Sequence, residues 1–177
     1  AVLGLAPDGV EAACAEASGA DGVAVAANLN APDQIVISGD PAAVTRAGDA
    51  CKARGAKRVL PLKVSGAFHS PLMAPAVAGL EAALAAAPFA DPAFPILANA
   101  SAEPVRTSAA AVRLLAEQLT APVRWIACMQ AAAALAPEAT FIELGPGSVL
   151  SGLLRKIVPG ARTVTLGTAA EVEAFLA

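Results

Sequence analysis

Two helical segments, each opened by a proline and enclosed by short strand-like runs, set the narrowest limits on how this chain can fold. Pro7, Asp8 and Gly9 open a segment reaching about Ser18, with Val10, Ala13, Cys14 and Ala17 spaced as one helix face. Residues 19–22, glycine at both ends, stop it. Asp40-Pro41 reads as an N-cap with proline in the first turn. The helix it opens reaches about Arg54, with Val44, Ala47, Gly48 and Cys51 on one face and Gly55 as C-cap. Strand-like runs lie at 1–5, 23–28, 34–38 and 57–64, and the turn cluster Asn30-Ala31-Pro32-Asp33 separates the middle two. The order βαββαβ over residues 1–64 is that of the ferredoxin-like motif.

The remainder alternates helix and strand. Residues 71–87 read as one alanine-rich helix with Met73, Val77, Leu80 and Leu84 on a stripe. A strand at 94–98 follows Pro92, and a helix at 108–119 carries Val112, Leu115 and Leu119. Helices at 124–135, 148–158 and 171–176 and strands at 140–144 and 163–166 complete the pattern. Strands separated by helices imply a parallel sheet. Three strands are fewer than such sheets usually hold, and helices on both faces would leave apolar surface uncovered. This, and an apolar run directly after Ala1 with no initiating methionine, leads to the expectation that part of the fold lies upstream.

The chain is 56% apolar and 15% charged, which excludes disorder. Much of the excess is alanine, and no run approaches the ~20 apolar residues of a spanning helix, so no membrane role is expected. Twelve basic against 15 acidic residues argue against nucleic-acid binding. Cys14, Cys51 and Cys128 lie far apart with no C-x-x-C pair, so buried thiols in a reducing cytoplasm are expected, without a metal site. A single histidine and no clustered carboxylates make a metal-dependent hydrolase a poor alternative.

Charge is unevenly placed. Residues 1–45 hold six acids and no base, whereas 46–63 hold Arg46, Lys52, Arg54, Lys57, Arg58 and Lys63 against Asp49 alone. The segment is either the solvated face of a helix and strand or a landing patch for an anionic partner.

His69, the only histidine, sits in Gly66-Ala67-Phe68-His69-Ser70-Pro71, between a strand and a helix, where functional side chains are often presented. Ser70-Pro71 also reads as an ordinary helix cap. No G-x-S-x-G elbow, G-x-x-x-x-G-K or G-x-G-x-x-G occurs. Gly145-Pro146-Gly147 is a tight turn or, less fittingly because Pro146 lacks an N–H, an anion cradle at a helix start.

Four segments in order carry a resemblance. They are Asn28-Leu29-Asn30-Ala31-Pro32 with Gln34 to Gly39; Lys57 to Leu62 before Ala67-Phe68-His69-Ser70; Gln118-Leu119 with Pro122-Val123-Arg124-Trp125; and Glu143-Leu144-Gly145-Pro146-Gly147 through Leu150. Together they resemble the C-terminal portion of malonyl-CoA:acyl carrier protein transacylases, within the wider acyltransferases of fatty-acid and polyketide synthesis. The resemblance implies transfer of malonyl from coenzyme A to the phosphopantetheine thiol of acyl carrier protein through an acyl-serine, in the cytoplasm. It implies no permanently bound cofactor, with malonyl-CoA as substrate. His69 becomes the general base and Gln118 its orienting backbone carbonyl. Phe68 marks malonyl selectivity, Asn28 and Asn30 line the substrate channel, and Arg58 is a cationic position near it and the carrier-protein surface, so that the basic segment 46–63 would meet the acidic carrier protein or the cofactor phosphates.

The same resemblance implies an α/β fold: a ferredoxin-like subdomain at 1–64, then part of an α/β-hydrolase-like parallel-sheet domain at 65–177. The serine elbow, oxyanion loop and malonate-binding arginine belong to the family's N-terminal half. That half is expected as a partner, and the chain alone is expected to be inactive. An alternative, resting on residues 1–64 only, is a ferredoxin-like small-molecule-binding regulatory domain.

Overall fold

A computed structural model describes residues 1–177, which divide into two compact units, Ala1–Cys128 and Met129–Ala177. The first opens with β1 (Val2–Leu3), α1 (Pro7–Ala17), β2 (Ala24–Ala31), β3 (Gln34–Gly39), α2 (Pro41–Ala53) and β4 (Arg58–Val59). The strands form one sheet in the order β2-β3-β1-β4, every neighbouring pair antiparallel. Alternation along β3 sends Ile35 and Ile37 inward. They meet Val2, Val10 and Cys14 and the alanines of α1 and α2, whose small side chains let the two helices pack closely. Full burial of Ile35 and of Val10 contributes roughly 1.5–3 kcal/mol each. Gly39 is obligatory where β3 ends, because its φ is +149° and a Cβ there would lie 1.9 Å from the Val23 carbonyl oxygen.

Two irregularities in β2 decide what its other face presents. Ala26 pairs with Ile37 and Asn28 with Val36, so Ala27 is an extra residue; Leu29 pairs with Ile35 and Ala31 with Gln34, so Asn30 is another. Without the first bulge Asn28 would align with core-facing Ile35. With it, Asn28 shares the side of Val36, opposite the core.

The rest of this unit holds a 3₁₀ helix (Pro71–Ala76), α3 (Val77–Ala86), β5 (Ile96–Leu97), β6 (Pro104–Val105) and α4 (Ser108–Gln118). Helix α5 (Trp125–Leu135) runs across the boundary between the units. In the second unit β7 (Thr140–Leu144) and β8 (Arg162–Leu166) pair in parallel, joined through α6 (Val149–Ile157) and followed by α7 (Ala169–Leu176). Helix α6 buries Ser151, Leu153, Leu154 and Ile157. A reciprocal Thr168–Glu171 capping box starts α7. No helix is long and apolar enough to cross a membrane.

Several expectations are corrected. The strand expected at 57–64 pairs only at Arg58–Val59, because Pro61 removes a ladder donor and Leu60 makes the last bond, to the Ala1 carbonyl. The helix expected at 71–87 is 3₁₀ as far as Ala76, with Pro75 inside it, and α-helical only afterwards. Asp40 precedes α2, but its carboxylate accepts from Val23 N at 2.7 Å instead of capping the helix. On α4 it is Leu114 that is buried, while Leu115 is exposed. The strand expected at 94–98 does not join a parallel sheet. The few residues after Leu97 suffice only for a hairpin, and β5 pairs antiparallel with β6.

Candidate functional site

The loop between β4 and the 3₁₀ helix carries Phe68 and His69. His69 stands at φ +59°, in the left-handed region that few residues other than glycine enter. The next residue holds it there. Ser70 is fully buried; its hydroxyl donates to the Ala67 carbonyl at 2.6 Å and accepts from Leu72 N at 3.3 Å. The expected helix cap at Ser70 is therefore present, and the same oxygen also closes the His69 turn from within. The Phe68 ring leans over Gly66, where a Cβ would stand 3.0 Å from it.

The imidazole is oriented from α4. Its Nδ1 lies 3.1 Å from the backbone carbonyl oxygen of Gln118. This carbonyl belongs to the last turn of α4, where carbonyls lack intrahelical donors and carry the negative end of the helix dipole. The Gln118 Nε2 is also 3.4 Å from Nδ1, but it donates to the carbonyls of Ala121 at 2.9 Å and Pro122 at 3.4 Å. A carbonyl oxygen only accepts, so Nδ1 is the donor to the Gln118 carbonyl and the neutral ring keeps its lone pair on Nε2.

An open cleft of about 980 Å³ is lined by parts of β2, β3 and α2 and by the chain from β4 to the start of the 3₁₀ helix. Its lining includes Asn28 and Asn30 from β2, Ser38 from β3, and Phe68, His69 and Leu72 from the loop and 3₁₀ helix. Thus Asn28, Asn30, Phe68 and His69 share one cavity, with Gln118 behind the imidazole. Phe68 is half exposed, so its ring is available to a ligand. Arg58 lies apart: it is exposed on β4 and does not line the cleft.

The basic segment is partly consumed by the fold. Arg46 donates to the Ala17 carbonyl at the end of α1, Arg54 pairs with Glu16, and Lys52 pairs with Asp49. Lys57, Arg58 and Lys63 remain without an ion pair. The Gly145-Pro146-Gly147 turn is no anion cradle, because the chain supplies its own anion. The Glu143 carboxylate accepts from Leu150 N at 3.0 Å and Ser151 N at 2.8 Å, filling the start of α6. The Ser151 hydroxyl and these N–H groups hold its pKa below the ordinary value. A glutamate two residues before Gly-x-Gly at a helix start was a readable sign of this cap.

The three thiols are buried and free. Burial, then the neighbouring Cys51 thiol and the Glu11 carboxylate, push the Cys14 thiol up to about 12, and burial raises Cys51 and Cys128 as well. None is primed as a nucleophile. No three metal-ligating side chains come together. The geometry can hold and relay a proton at His69 Nε2 beside an open cleft.

Residues 2–171 match the family described as the acyl transferase domain. A malonyl CoA-acyl carrier protein transacylase of Salmonella typhimurium is 42% identical over 178 residues, covering 99% of this chain and 56% of that protein. A crystal structure of an acyl carrier protein S-malonyltransferase from Vibrio cholerae matches with TM-score 0.93 and 38% identity, over 98% of this chain and 56% of that one. A type II PKS acyl-carrier protein in complex with its malonyl-transacylase matches with TM-score 0.90 and 37% identity, over 98% of this chain and 56% of that one. The chain spans about half the length of these relatives. A match running to residue 171 leaves no support for a regulatory domain read from residues 1–64 alone.

Proposed function

Since this chain belongs to the acyl transferase domain family, we propose that it supplies the proton carrier of a malonyl-CoA:acyl carrier protein transacylase acting in cytoplasmic fatty-acid synthesis. The observation that carries the reading is the His69 ring, held through Nδ1 by the Gln118 carbonyl, with Nε2 left as a base beside a cleft. In the first half-reaction Nε2 takes the proton of a serine hydroxyl as its oxygen attacks the malonyl thioester. The C–S bond breaks, and the imidazolium returns the proton to the coenzyme A sulfur. In the second, Nε2 takes the proton of the phosphopantetheine thiol. The sulfur attacks the acyl-serine, the C–O bond breaks, and the serine oxygen is reprotonated.

The serine, the oxyanion donors and the arginine for the malonate carboxylate come from outside these 177 residues, so the chain alone is inactive. Phe68, standing at the base, disfavours a 2-methyl branch; one methyl is worth roughly 1–3 kcal/mol, so this is a preference. Asn28 and Asn30 face the substrate across the cleft. Arg58, with Lys57 and Lys63, faces the acidic carrier protein instead of the cleft interior. The antiparallel order β2-β3-β1-β4 under two helices supports a ferredoxin-like subdomain over residues 1–64. The parallel β7–β8 pair with α6 supports the edge of an α/β-hydrolase-like sheet within 65–177. No resident cofactor is needed for this chemistry.

The test is His69→Ala in the intact enzyme, where malonyl transfer should fall on the order of 10²–10⁴-fold. The 177-residue chain incubated with malonyl-CoA should keep its 17.4 kDa mass. Transfer that survives the substitution, or a malonyl adduct on the chain, refutes the proposal.

A further inference from the structure

We propose that the Gln118 side chain is a positioning residue, clamping the turn whose carbonyl sets the tautomer of His69. This rests on the reading of His69 as the proton carrier. The backbone carbonyl of Gln118 is the group that meets Nδ1, at 3.1 Å. A carbonyl in the last turn of a helix is only as well aimed as the segment after it, because no backbone N–H inside the helix holds it. Here that segment contains Pro122, which has no N–H to give. The Gln118 carboxamide makes up the loss by folding forward over its own turn, with Nε2 donating to Ala121 O at 2.9 Å and Pro122 O at 3.4 Å.

The far end of the same turn is fastened elsewhere. Val123 N donates to Ala27 O at 2.8 Å and Leu29 N to Val123 O at 2.9 Å, so Val123 runs beside β2 across from Asn28. Beside the backbone bonds of Thr120 N and Ala121 N to Glu117 O, at 3.2 and 3.1 Å, the carboxamide ties the carbonyl behind His69 to the strand that carries Asn28. It fixes the ring relative to the cleft wall and not merely to its own helix. The orientation of the carboxamide is itself fixed. Turning it over would set Oε1 against two carbonyl oxygens. As it stands, Oε1 is buried and without a partner. That cost is borne while the donors are used, as expected where donation has a purpose.

His69 is the only histidine in the chain, so its imidazole gives one set of ring nitrogen signals. In the ¹⁵N-labelled 177-residue chain, long-range ¹H–¹⁵N correlation should show the Nδ1–H tautomer in large excess. Gln118→Met keeps the volume, removes the two donations and relieves the unpaired Oε1, so it should fold. The tautomer ratio should drop about tenfold, the preference that one ordinary hydrogen bond supplies, and Hδ1 should exchange faster with water. Thr107→Ala removes the cap at the other end of α4, where Thr107 Oγ1 accepts from Ala110 N at 3.3 Å. It weakens the helix and should leave the ratio alone. A ratio in Gln118→Met within twofold of the unaltered chain overturns the proposal. So does an equal shift in Thr107→Ala. A measurement without any variant stands beside these: the Gln118 Hε2 protons should exchange at least tenfold more slowly than a free carboxamide, and free exchange overturns the clamp. None of these readouts involves acyl transfer, so failure of the catalytic reading and failure of the clamp are seen separately.

Discussion

Replacing His69 by glycine should leave a more stable protein than replacing it by alanine, the reverse of the usual order. Both substitutions remove the imidazole and its bond to the Gln118 carbonyl, so the difference between them isolates the backbone. At φ +59° an L-residue with a Cβ carries a cost of roughly 1–2 kcal/mol that glycine does not. Glycine gives back roughly 0.5–1 kcal/mol through the extra freedom of its unfolded chain. The balance favours His69→Gly over His69→Ala by about 0.5–1 kcal/mol. At an exposed interior position of α3 such as Ala83 the order is the ordinary one, with glycine about 1 kcal/mol worse. Equilibrium urea unfolding resolves this, since at the slopes usual for small proteins the midpoints should differ by about 0.3–0.5 M. A His69→Gly midpoint below that of His69→Ala, with matching slopes, would refute the left-handed backbone and the account of the loop built on it.

Ser70→Ala should cost about 2 kcal/mol, because it leaves the Ala67 carbonyl without its donor and the 3₁₀ helix without its cap. In a chain of this length that is a drop in Tm of about 4–8 °C, and a change under 2 °C removes Ser70 from its assigned role. Glu143 should govern part of the acid limb of stability. Its folded pKa lies below the ordinary 4.5, so its contribution is fully present above that value and is lost as pH falls through the folded pKa. Glu143→Gln should therefore show a shallower decline of Tm below about pH 4.5; an unchanged decline means the α6 cap carries no such linkage.

Where the sequence was legible, one signal had one reading. Val10, Ala13, Cys14 and Ala17 lie on a single helix face, and all four are buried. Residues 140–144 are a strand over their whole length, set off by the turn after them. Illegibility had local causes. Leu114 and Leu115 are adjacent, so a 3.6-residue period admits either one inside, and only packing chose Leu114. Leu60, Leu62 and Val64 alternate like a strand, yet the ladder ends at Leu60, before Pro61, and all three stay exposed. Asn28 could be named as a site residue from the family resemblance, but its placement in the cleft depends on a bulge at Ala27 that no residue type announces. The forward reach of the Gln118 carboxamide is likewise invisible in a motif, since glutamine at the end of a helix is common and its partners are carbonyls.

The backbone at His69 shows how strain and function can be told apart here. Ala102 has the same φ of +59°. It sits in the link between β5 and β6, where its N–H closes a turn on the Ala98 carbonyl at 2.7 Å. That strain serves only the hairpin. At His69 the strained residue is followed by a fully buried hydroxyl that binds the loop on both sides, and its own side chain is bound by a second element. A turn that needed only to reverse direction would be served by glycine with no loss. Under the proposed function, the imidazole kept there, with Ser70 and the end of α4 holding it, fixes the position of Nε2. The strain alone is no evidence of a site; the number of groups committed to maintaining it is.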